Sequence, residues 1–577
     1  MTNSVLPAPL LKRRQASQTP LFAGNLPAIL QRIYANRGIT DSSELDLSLR
    51  GLLHFNQLVD CELAAERVAA AILAQRKICI CGDYDADGAT SVALLMSALA
   101  AMGAKSLMYL VPNRFADGYG LSPALVDHAA QQGAELLITV DNGISSHAGV
   151  ERANQLGLEV IITDHHLPAA TLPPAAAVVN PNRDDCQFAS KSLAGVGVAF
   201  YLLLAIRSWF RQQHSEHPAA QIQIADYLDL VALGTVADVV ALDFNNRILV
   251  QQGVQRIREG RCRPGIMALL QVAGRDPQGI SATDLGFAVG PRINAAGRLD
   301  DIQMGIDCLL AADLQQAKML ALRLDELNRQ RRQIEGDMQA DAEQCLSRLQ
   351  FGQDGLPPVL SLHDESFHQG VIGILAGRLK EQFYRPVMVF APGDDGELKG
   401  SCRSVAGVHI RDLLAQVASI APGVISRFGG HAMAAGLTVP KAAWSEFNAV
   451  LQTVAQDWVD DDQLARVLWS DGELNGNELS LESALALQTA GPFGQDFPAP
   501  TFDGEFRVLD QRWLKDVHLK LVLQPLQGGP SVDAIAFNVP KAPWQWQQQQ
   551  QVHLVYRLDV NEFRGQKNPQ LMIEYVL

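Results

Sequence analysis

Acidic residues and histidines recur at the ends of short apolar runs in the first half of the chain. DYDADG follows KICICG and contains three aspartates, DNG follows ELLITV, and DHH follows EVIIT. A later apolar segment, LVALGTVADVV, contains one more aspartate. Such carboxylates and imidazoles could bind metal ions or transfer protons. The residues concerned are Asp83, Asp85, Asp87, Asp141, Asp164, His165, His166 and Asp238.

These carboxylates could not all stay ionised at short range unless a cation neutralised them, because like charges raise each other's pKa. Oxygen ligands favour Mg²⁺ or Mn²⁺, and an imidazole shifts the preference toward Mn²⁺. Zinc would more often use cysteine or three histidines. A carboxylate shared by two ions would make a two-metal hydrolytic site, so we expect Mn²⁺ or Mg²⁺ as cofactor, with two ions bound.

Each motif alone also fits a simpler role. DYDADG could be a calcium loop or a solvated turn, DNG an ordinary turn, DHH a capped loop and Asp238 a helix cap. All four in this order at strand ends are much harder to explain as turns. The combination favours a metal centre.

The elements that must position these residues are alternating strands and helices. The apolar runs 77–82, 106–111, 135–140 and 159–163 are separated by amphipathic stretches such as SVALLMSALAAMG. This alternation predicts βαβ units in a mostly parallel sheet. Ligands of such sheets bind at the carboxyl ends of the strands, where the acids fall.

Composition and charge exclude several classes of protein. The 577 residues are 48% hydrophobic and 19% charged, and no apolar run reaches the roughly 18 residues of a membrane span. The first residues lack the apolar region of a secretory signal, and the eight cysteines form no CxxC pair, which fits a reducing cytoplasm. A net charge of -15 disfavours a surface coated with basic residues for duplex DNA, but not a local basic groove.

The segments DYDADGATS, DNG, TDHH and GTVADVV, in this order, resemble the four motifs of the DHH phosphoesterase superfamily. RFADGYGL, GPRINAAGRL, HQGVIGILAGRL and RFGGHAMAAGL resemble segments of its RecJ branch, the single-strand-specific 5′→3′ DNA exonucleases. The resemblance extends from about residue 50 to the end. It implies an α/β fold in which a parallel-sheet DHH domain and a smaller DHH-associated domain are joined by a long helix and followed by an oligonucleotide-binding (OB-like) barrel.

We therefore expect five parts along the chain. They are an N-terminal helical segment packing on the catalytic domain (1–50), the DHH catalytic domain (51–310), a connector helix (311–350), the DHH-associated α/β domain (351–457) and an OB-like single-strand-binding domain (458–577).

The resemblance also implies roles for individual residues. The metal ligands would be Asp83, Asp85, Asp87, Asp141, His165 and Asp238, while His166 would touch the scissile phosphate or the second metal. Asp164 would orient a histidine. The Gly-rich segment before the connector helix is expected to be a loop that contacts DNA. The expected substrate contacts are Arg114, Tyr119, Arg292, Asn294, Ser401, Arg403, Gly430, His431, Trp513 and Lys520.

The implied reaction is metal-assisted hydrolysis of single-stranded DNA from its 5′ end, releasing 5′-mononucleotides in recombination and repair. One alternative is a DHH enzyme for small substrates, such as dinucleotides or pyrophosphate, which would not need the barrel. Another is a non-catalytic DHH relic, which would have lost motif acids that are intact here. Single-stranded DNA, single-strand-binding protein and a recombination helicase are the expected partners, and the cytoplasm is the expected location.

Arg114 and Tyr119 give a hypothesis about polarity. We expect Arg114 to bind the terminal 5′ phosphate and Tyr119 to stack on a base, although a helix-entry loop with Tyr119 packed inward fits the residues equally well. Arg114→Ala should then raise the Michaelis constant for 5′-phosphorylated single strands, measured in steady-state nuclease assays. An unchanged Michaelis constant would contradict this role.

Overall fold

A computed structural model describes residues 9–16, 18, 22, 26–112, 120–348, 356–393, 396–460, 463–539, 544, 546 and 549–577, with only the backbone described for 344–348. This part of the chain contains two five-stranded sheets, one closed barrel of five strands and one two-stranded sheet. Among its helices, none combines the length and the apolar character that a bilayer span requires.

The N-terminal region contacts both halves of the protein. Its elements are β1 (Leu10–Arg13), α1 (Ala28–Ala35) and α2 (Cys61–Leu73). Strand β1 pairs in parallel with residues Val467–Ser470, and the Tyr34 hydroxyl of α1 donates to the Ala490 carbonyl oxygen at 2.8 Å. The backbone N–H of Leu53 donates to Asn245. The segment thus contacts both Asn245 in the first half of the chain and the C-terminal region.

The first α/β lobe is built on a parallel sheet in the order β3-β2-β4-β5-β6. Strand β2 is buried along its whole length, as expected for a sheet covered on both faces. The chain leaves β2 toward β3 on one side and returns to β4 on the other, so β2 and β4 flank the switch point where such sheets bind ligands. The elements are β2 (Ile78–Cys81), α3 (Ala86–Ala101), β3 (Leu107–Leu110), α4 (Pro123–Gln131), β4 (Leu136–Val140), α5 (His147–Gln155), β5 (Glu159–Thr163) and β6 (Ala177–Val179).

Helices follow the sheet as far as the second lobe. They are α6 (Gly195–Gln213), α7 (Pro218–Gln221), α8 (Leu228–Ala237), α9 (Phe244–Arg258), α10 (Pro264–Val272), α11 (Ala282–Asp284), α12 (Gly290–Leu299), α13 (Gln303–Leu310) and α14 (Leu314–Arg348). A π-helical turn, Leu285–Val289, leads into α12. Helix α14 is a single 35-residue helix, which at 1.5 Å per residue is about 52 Å long.

The prediction of a Gly-rich loop before the connector helix is wrong, because residues 290–299 form helix α12. Proline is tolerated in a first helical turn, where Pro291 stands. Gly297 serves close packing, since a Cβ there would lie 2.0 Å from the Tyr84 carbonyl oxygen. A helix that packs this tightly on the DYDADG segment needs glycine at the contact.

The second α/β lobe has a mixed sheet in the order β10-β11-β9-β8-β7. Strands β7 and β8 are parallel, and the other neighbours are antiparallel. The elements are β7 (Leu360–His363), α15 (Ile372–Phe383), β8 (Val387–Pro392), β9 (Glu397–Arg403), α16 (Ile410–Ile420), β10 (Arg427–Gly430), β11 (Ala434–Pro440) and α17 (Trp444–Trp458).

The C-terminal region is a closed five-stranded barrel in the order β13-β14-β15-β17-β16. Phe502, Phe506 and Tyr556 fill its interior, each at most 2% exposed. Small closed barrels of five strands are the architecture of OB folds. The elements are β12 (Val467–Ser470), α18 (Leu481–Thr489), β13 (Phe502–Leu514), β14 (His518–Pro525), β15 (Val532–Ala536), β16 (Gln551–Phe563) and β17 (Gln566–Val576).

A buried ion pair joins the N-terminal segment to the barrel region. Arg37 donates to both carboxylate oxygens of Asp471, at 2.9 and 3.1 Å, and to the Pro498 carbonyl oxygen. The two side chains are 1% and 0% exposed. Removing Arg37 would leave the buried Asp471 carboxylate facing Arg14 at a longer distance, 3.5 Å, and so poorly compensated.

Arg37→Met should therefore lower the free energy of unfolding by about 3–5 kcal/mol, measured by urea denaturation. Arg323→Met is the control, because Arg323 pairs with Glu326 across exposed side chains and should change that energy by less than about 1 kcal/mol. Equal effects of the two substitutions would contradict the structural role of the Arg37–Asp471 pair.

Candidate metal centre and substrate cleft

The DYDADG segment turns from β2 into α3 and buries two of its aspartates. Asp85 is the N-cap of α3, and its side chain accepts the backbone N–H groups of Asp87 (2.9 Å) and Gly88 (3.1 Å). Gly88 must be glycine, because a Cβ there would lie 2.5 Å from the Asp83 carbonyl oxygen. Asp83 and Asp87 are 4% and 1% exposed. The turn thus holds three carboxylates at the end of β2.

Asp87 is held at the N-terminus of α6. Its two oxygens accept the backbone N–H groups of Gly195 (2.6 Å) and Val196 (2.9 Å). Helix N-termini favour negative charge. Burial and the charges of Asp238 and Asp85 nevertheless raise the pKa of Asp87 well above its ordinary value.

Asp141 follows β4 in a left-handed conformation, with φ at 61°. Burial and the neighbouring charges, that of Asp87 first, raise the pKa of its carboxyl well above the ordinary value. The next residue, Asn142, anchors the turn, because its side chain donates to the carbonyl oxygens of Cys81 (3.1 Å) and Val140 (2.9 Å). Sequence reasoning did not assign Asn142, although it is the middle letter of the DNG motif.

Asp164 orients the histidine pair. It is fully buried and accepts the backbone N–H groups of Ile144, His165 and His166, together with His166 Nδ1 at 2.7 Å. Burial would raise the pKa of Asp164, but the hydrogen bond and charge of His166 outweigh burial and lower it. Burial likewise would lower the pKa of His166, and Asp164 overcomes it to raise that pKa to about 9.

His165 lies deeper than His166 and faces two aspartates. Its Nε2 is 3.1 Å from Asp141 Oδ1 and 3.6 Å from Asp238 Oδ2. Burial and the charge of His166 lower the pKa of His165 to about 4, so the ring is neutral near pH 7 and can offer a lone pair. Asn182 donates to the His165 carbonyl oxygen and Asn180 to that of His166; neither asparagine was expected from the sequence.

The predicted ligands come together as one cluster. Three overlapping groups each have ligand atoms within 4.8 Å of one another: Asp83, Asp85 and Asp141; Asp87, His165 and Asp238; and Asp141, His165 and His166. Burial and nearby charge also raise the pKa of Asp238 to about 7. Crowded carboxylates whose pKa values are raised, beside a neutral imidazole, are a donor set that fits hard divalent cations.

Helix α12 braces this centre. The Asn294 side-chain oxygen accepts the backbone N–H of Ala86 at 2.7 Å, next to the motif aspartates. Arg298 donates to the Gly370 carbonyl oxygen in the second lobe at 3.1 Å. Arg292 instead is 8% exposed and is held by Asp325 and the Ala288 carbonyl oxygen. Arg292 thus links α12 to α14 through Asp325, and the expectation that it contacts DNA is wrong.

Ser401 and Arg403 lie on β9 of the second lobe, beside the start of α15. Arg403 Nη1 donates to Ser401 Oγ (3.2 Å) and to the Cys402 carbonyl oxygen (2.8 Å). A Cβ on Gly373 would lie 3.1 Å from Arg403 Nη2, so the guanidinium stands at the helix N-terminus. Burial lowers the pKa of Arg403, and no described residue forms an ion pair with it. The guanidinium of Arg403 and the N-terminus of α15 both favour negative charge, so together they make a good site for a phosphate.

The hairpin of β10 and β11 brings Gly430 and His431 toward the metal cluster. Gly430 has φ at 140°, and a Cβ there would lie 2.4 Å from the Ala434 carbonyl oxygen, so the turn requires glycine. His431 is exposed and its backbone N–H donates to that same oxygen at 2.8 Å. Burial and then the positive charge of His166 lower the pKa of His431. The hairpin of the second lobe is therefore close enough to the first lobe for His431 to be affected by the charge of His166.

Four of the predicted substrate contacts remain. Arg114 and Tyr119 lie outside the described residues. Trp513 is partly buried against the barrel core, and Lys520 Nζ pairs with Asp533 at 2.9 Å. The side chains of both residues thus already contact other parts of the barrel.

Gly195 offers a test of the packing that holds the cluster. A Cβ on Gly195 would lie 2.5 Å from Asp141 Cβ and 2.8 Å from its Oδ1. Gly195→Ala should therefore displace Asp141 and weaken Mn²⁺ binding about 10- to 100-fold, measured by isothermal titration calorimetry. Gly336→Ala on α14, where the space is open, should leave Mn²⁺ affinity unchanged. Unaltered affinity in Gly195→Ala would contradict the assigned cluster.

Comparison with known protein families divides the chain into three matched regions. Residues 77–235 match the DHH family, N-terminal domain; residues 357–459 match the DHHA1 domain; and residues 470–575 match the RecJ OB domain. These regions contain the parallel sheet, the mixed sheet and the barrel, respectively.

Known proteins resemble the chain over nearly its whole length. The single-stranded-DNA-specific exonuclease RecJ of Dickeya dadantii is 53% identical, and that of Escherichia coli is 51% identical, over 98% of this chain and 98% of each relative. The crystal structure of RecJ in complex with Mn²⁺ from Thermus thermophilus aligns with a TM-score of 0.78 and 29% identity, over 95% of this chain and 76% of that one. With its metal-binding geometry, three matched domains and full-length relatives, the chain belongs to the RecJ family of single-stranded-DNA-specific exonucleases.

Proposed function

We propose that this chain is an exonuclease specific for single-stranded DNA that hydrolyses phosphodiester bonds with divalent metal ions and acts in DNA recombination and repair. The observation that carries the proposal is the cluster of overlapping ligand groups at the switch point of the first sheet. The Thermus thermophilus relatives were solved with Mn²⁺ and with Mg²⁺. Either ion suits the oxygen-rich ligands of this cluster.

Two ions fit the cluster better than one. Asp83, Asp85 and Asp141 form one group of three, and Asp87, His165 and Asp238 form another, with no residue in common. His165 Nε2 lies 3.1 Å from Asp141 Oδ1, so the two groups are adjacent. When bound, a pair of divalent ions supplies an acidified water and neutralises charge on the reacting phosphate.

The protein groups around the centre position the substrate. Asp164 holds the ring of His166 through Nδ1, so this imidazole can meet the scissile phosphate in one fixed orientation. Ser401 and Arg403 stand on the opposite lobe, at the start of α15, where they can bind a second phosphate of the same strand. Gly430 and His431 complete that wall of the cleft. A narrow passage between the two lobes would exclude a complementary strand and so would account for single-strand specificity.

We propose 5′→3′ polarity with release of 5′-mononucleotides, in which Arg114 and Tyr119 recognise the 5′ end. The five-part division at residues 50, 310, 350 and 457 belongs to the same proposal. The barrel would hold the strand behind the cleft, as OB folds do. Single-strand-binding protein and a recombination helicase would be its partners in the cytoplasm.

A DHH enzyme for dinucleotides or pyrophosphate is the alternative that the metal cluster alone would allow. The closed barrel disfavours this alternative. A substrate of two nucleotides would fit within the cleft, so an enzyme for such substrates would not need a barrel that binds a longer strand. Activity on long strands separates the two functions.

The deciding measurement is release of nucleotides from 5′-labelled and 3′-labelled single-stranded DNA with Mn²⁺, Mg²⁺ or chelator. We expect rapid release of the 5′ label as mononucleotide, dependent on metal and reduced more than about 100-fold in Asp141→Ala. Asp127→Ala is the control, because Asp127 pairs with Arg152 on the surface. Turnover of dinucleotides alone, with long strands left intact, would contradict the proposal.

A further inference from the structure

A polar cavity of about 370 Å³ lies apart from the metal cluster, where three parts of the chain meet. The N-terminal segment contributes Tyr34 and residues 45–48, helix α9 contributes Arg247 and three glutamines, and residues 489–491 join α18 to the barrel. Cavities of this size are in the range of small-molecule sites. None of its lining residues belongs to the catalytic cluster or to the expected DNA contacts.

Arg247 is the buried cation of this cavity. It is 5% exposed, and its guanidinium carbon lies 4.4 Å from the centre of the Phe497 ring. Within the described part of the chain it forms no ion pair, and its hydrogen bond is a long one, 3.4 Å from Nη2 to the Glu44 carbonyl oxygen. Burial lowers its pKa. The charges of Glu44 and Asp243 act on it, but neither carboxylate is within ion-pair distance. A buried guanidinium is normally paired directly, so Arg247 keeps the capacity to pair with a bound anion.

The other lining groups suit a hydrophilic ligand. Gln251 is partly buried, and its amide makes no hydrogen bond among the described residues. Asp46 is the lining carboxylate, but it is exposed to solvent and its Oδ1 accepts the backbone N–H of Ser48 at 3.0 Å. The carboxylate of Asp46 is therefore exposed to solvent, while the guanidinium of Arg247 is buried.

We propose that this cavity is a binding site for a small hydrophilic anion, whose phosphate or carboxylate group pairs with Arg247 and whose remaining polar atoms are bound by Gln251. A planar guanidinium that stacks on Phe497 through its face keeps its N–H edge for an oxyanion. The site is independent of the proposed nuclease function.

The location gives the ligand a structural effect. The Phe497 loop docks on the first lobe, because the backbone N–H of Leu242 donates to the Gln495 carbonyl oxygen at 2.8 Å. Neutralising Arg247 between this loop and α9 would stabilise the attachment of the barrel. Ligand binding should therefore appear as increased stability of the whole chain.

The experiment measures the thermal unfolding midpoint of the full chain, with chelator and at constant ionic strength, on titration with inorganic phosphate, adenosine 5′-monophosphate or citrate. An Arg403→Met background removes the phosphate site expected in the cleft. We expect at least one of these anions to raise the midpoint by about 2 °C or more, with saturation. The most effective of the three identifies whether phosphate, nucleotide or carboxylate chemistry is recognised.

Two variants test whether Arg247 is responsible. Arg247→Gln should abolish the anion-dependent increase. Gln251→Glu keeps Arg247 but supplies an internal counter-charge, so it should fold stably and also lose the response. Arg207→Gln is the matched control, because Arg207 is a partly buried arginine on α6 that does not line this cavity, and it should keep the full response. No increase with any anion, or an increase that persists in Gln251→Glu, would overturn the proposal.

Discussion

Buried negative charge is the constraint on which the rest of this structure depends. Asp83, Asp87 and Asp141 are each at most 4% exposed and stand within one cluster. Carboxylates at such distances repel one another strongly in a poorly solvated site. The fold opposes that repulsion with directed N–H groups, from the start of α6 to Asp87 and from the first turn of α3 to Asp85. The N-termini of two helices are thus aimed at one sheet edge, and a divalent cation completes the balance of charge.

Further parts of the chain serve the same centre from a distance. Asn294 supports the DYDADG turn from α12, and Arg298, one helical turn later, reaches the second lobe. Helix α12 therefore relates the position of the metal ligands to the position of the opposite cleft wall. Gly297 allows this helix to approach the Tyr84 carbonyl closely enough to do so.

The sequence predicted that the acidic residues and histidines would meet at one sheet edge, because strand alternation and strand-end acids are local signals whose geometry a parallel sheet determines. The long helix and the barrel were expected from the family resemblance of the chain, and both are present. The sequence did not predict which distant residues pair with each other. Arg292 is paired with Asp325, 33 residues away, and Lys520 with Asp533 on the neighbouring strand. The glycines of α12 indicated a loop because their close contact lies in a distant segment. Strand β1 pairs with β12, more than 450 residues away, and no local sequence pattern predicts this contact.

Helix α14 has a mechanical consequence. Its first half, with Ala317, Ala321 and Leu324, is part of the hydrophobic core that the first lobe shares with the barrel. Its second half, with Met338 and Ala342, is part of a core that belongs to the second lobe. The described residues thus form two hydrophobic cores that share one helix, and the barrel belongs to the same core as the catalytic lobe. Any widening of the cleft must bend or pivot α14 and stretch the hydrogen bond from Arg298 to Gly370, so these two links together resist the opening that admits a strand.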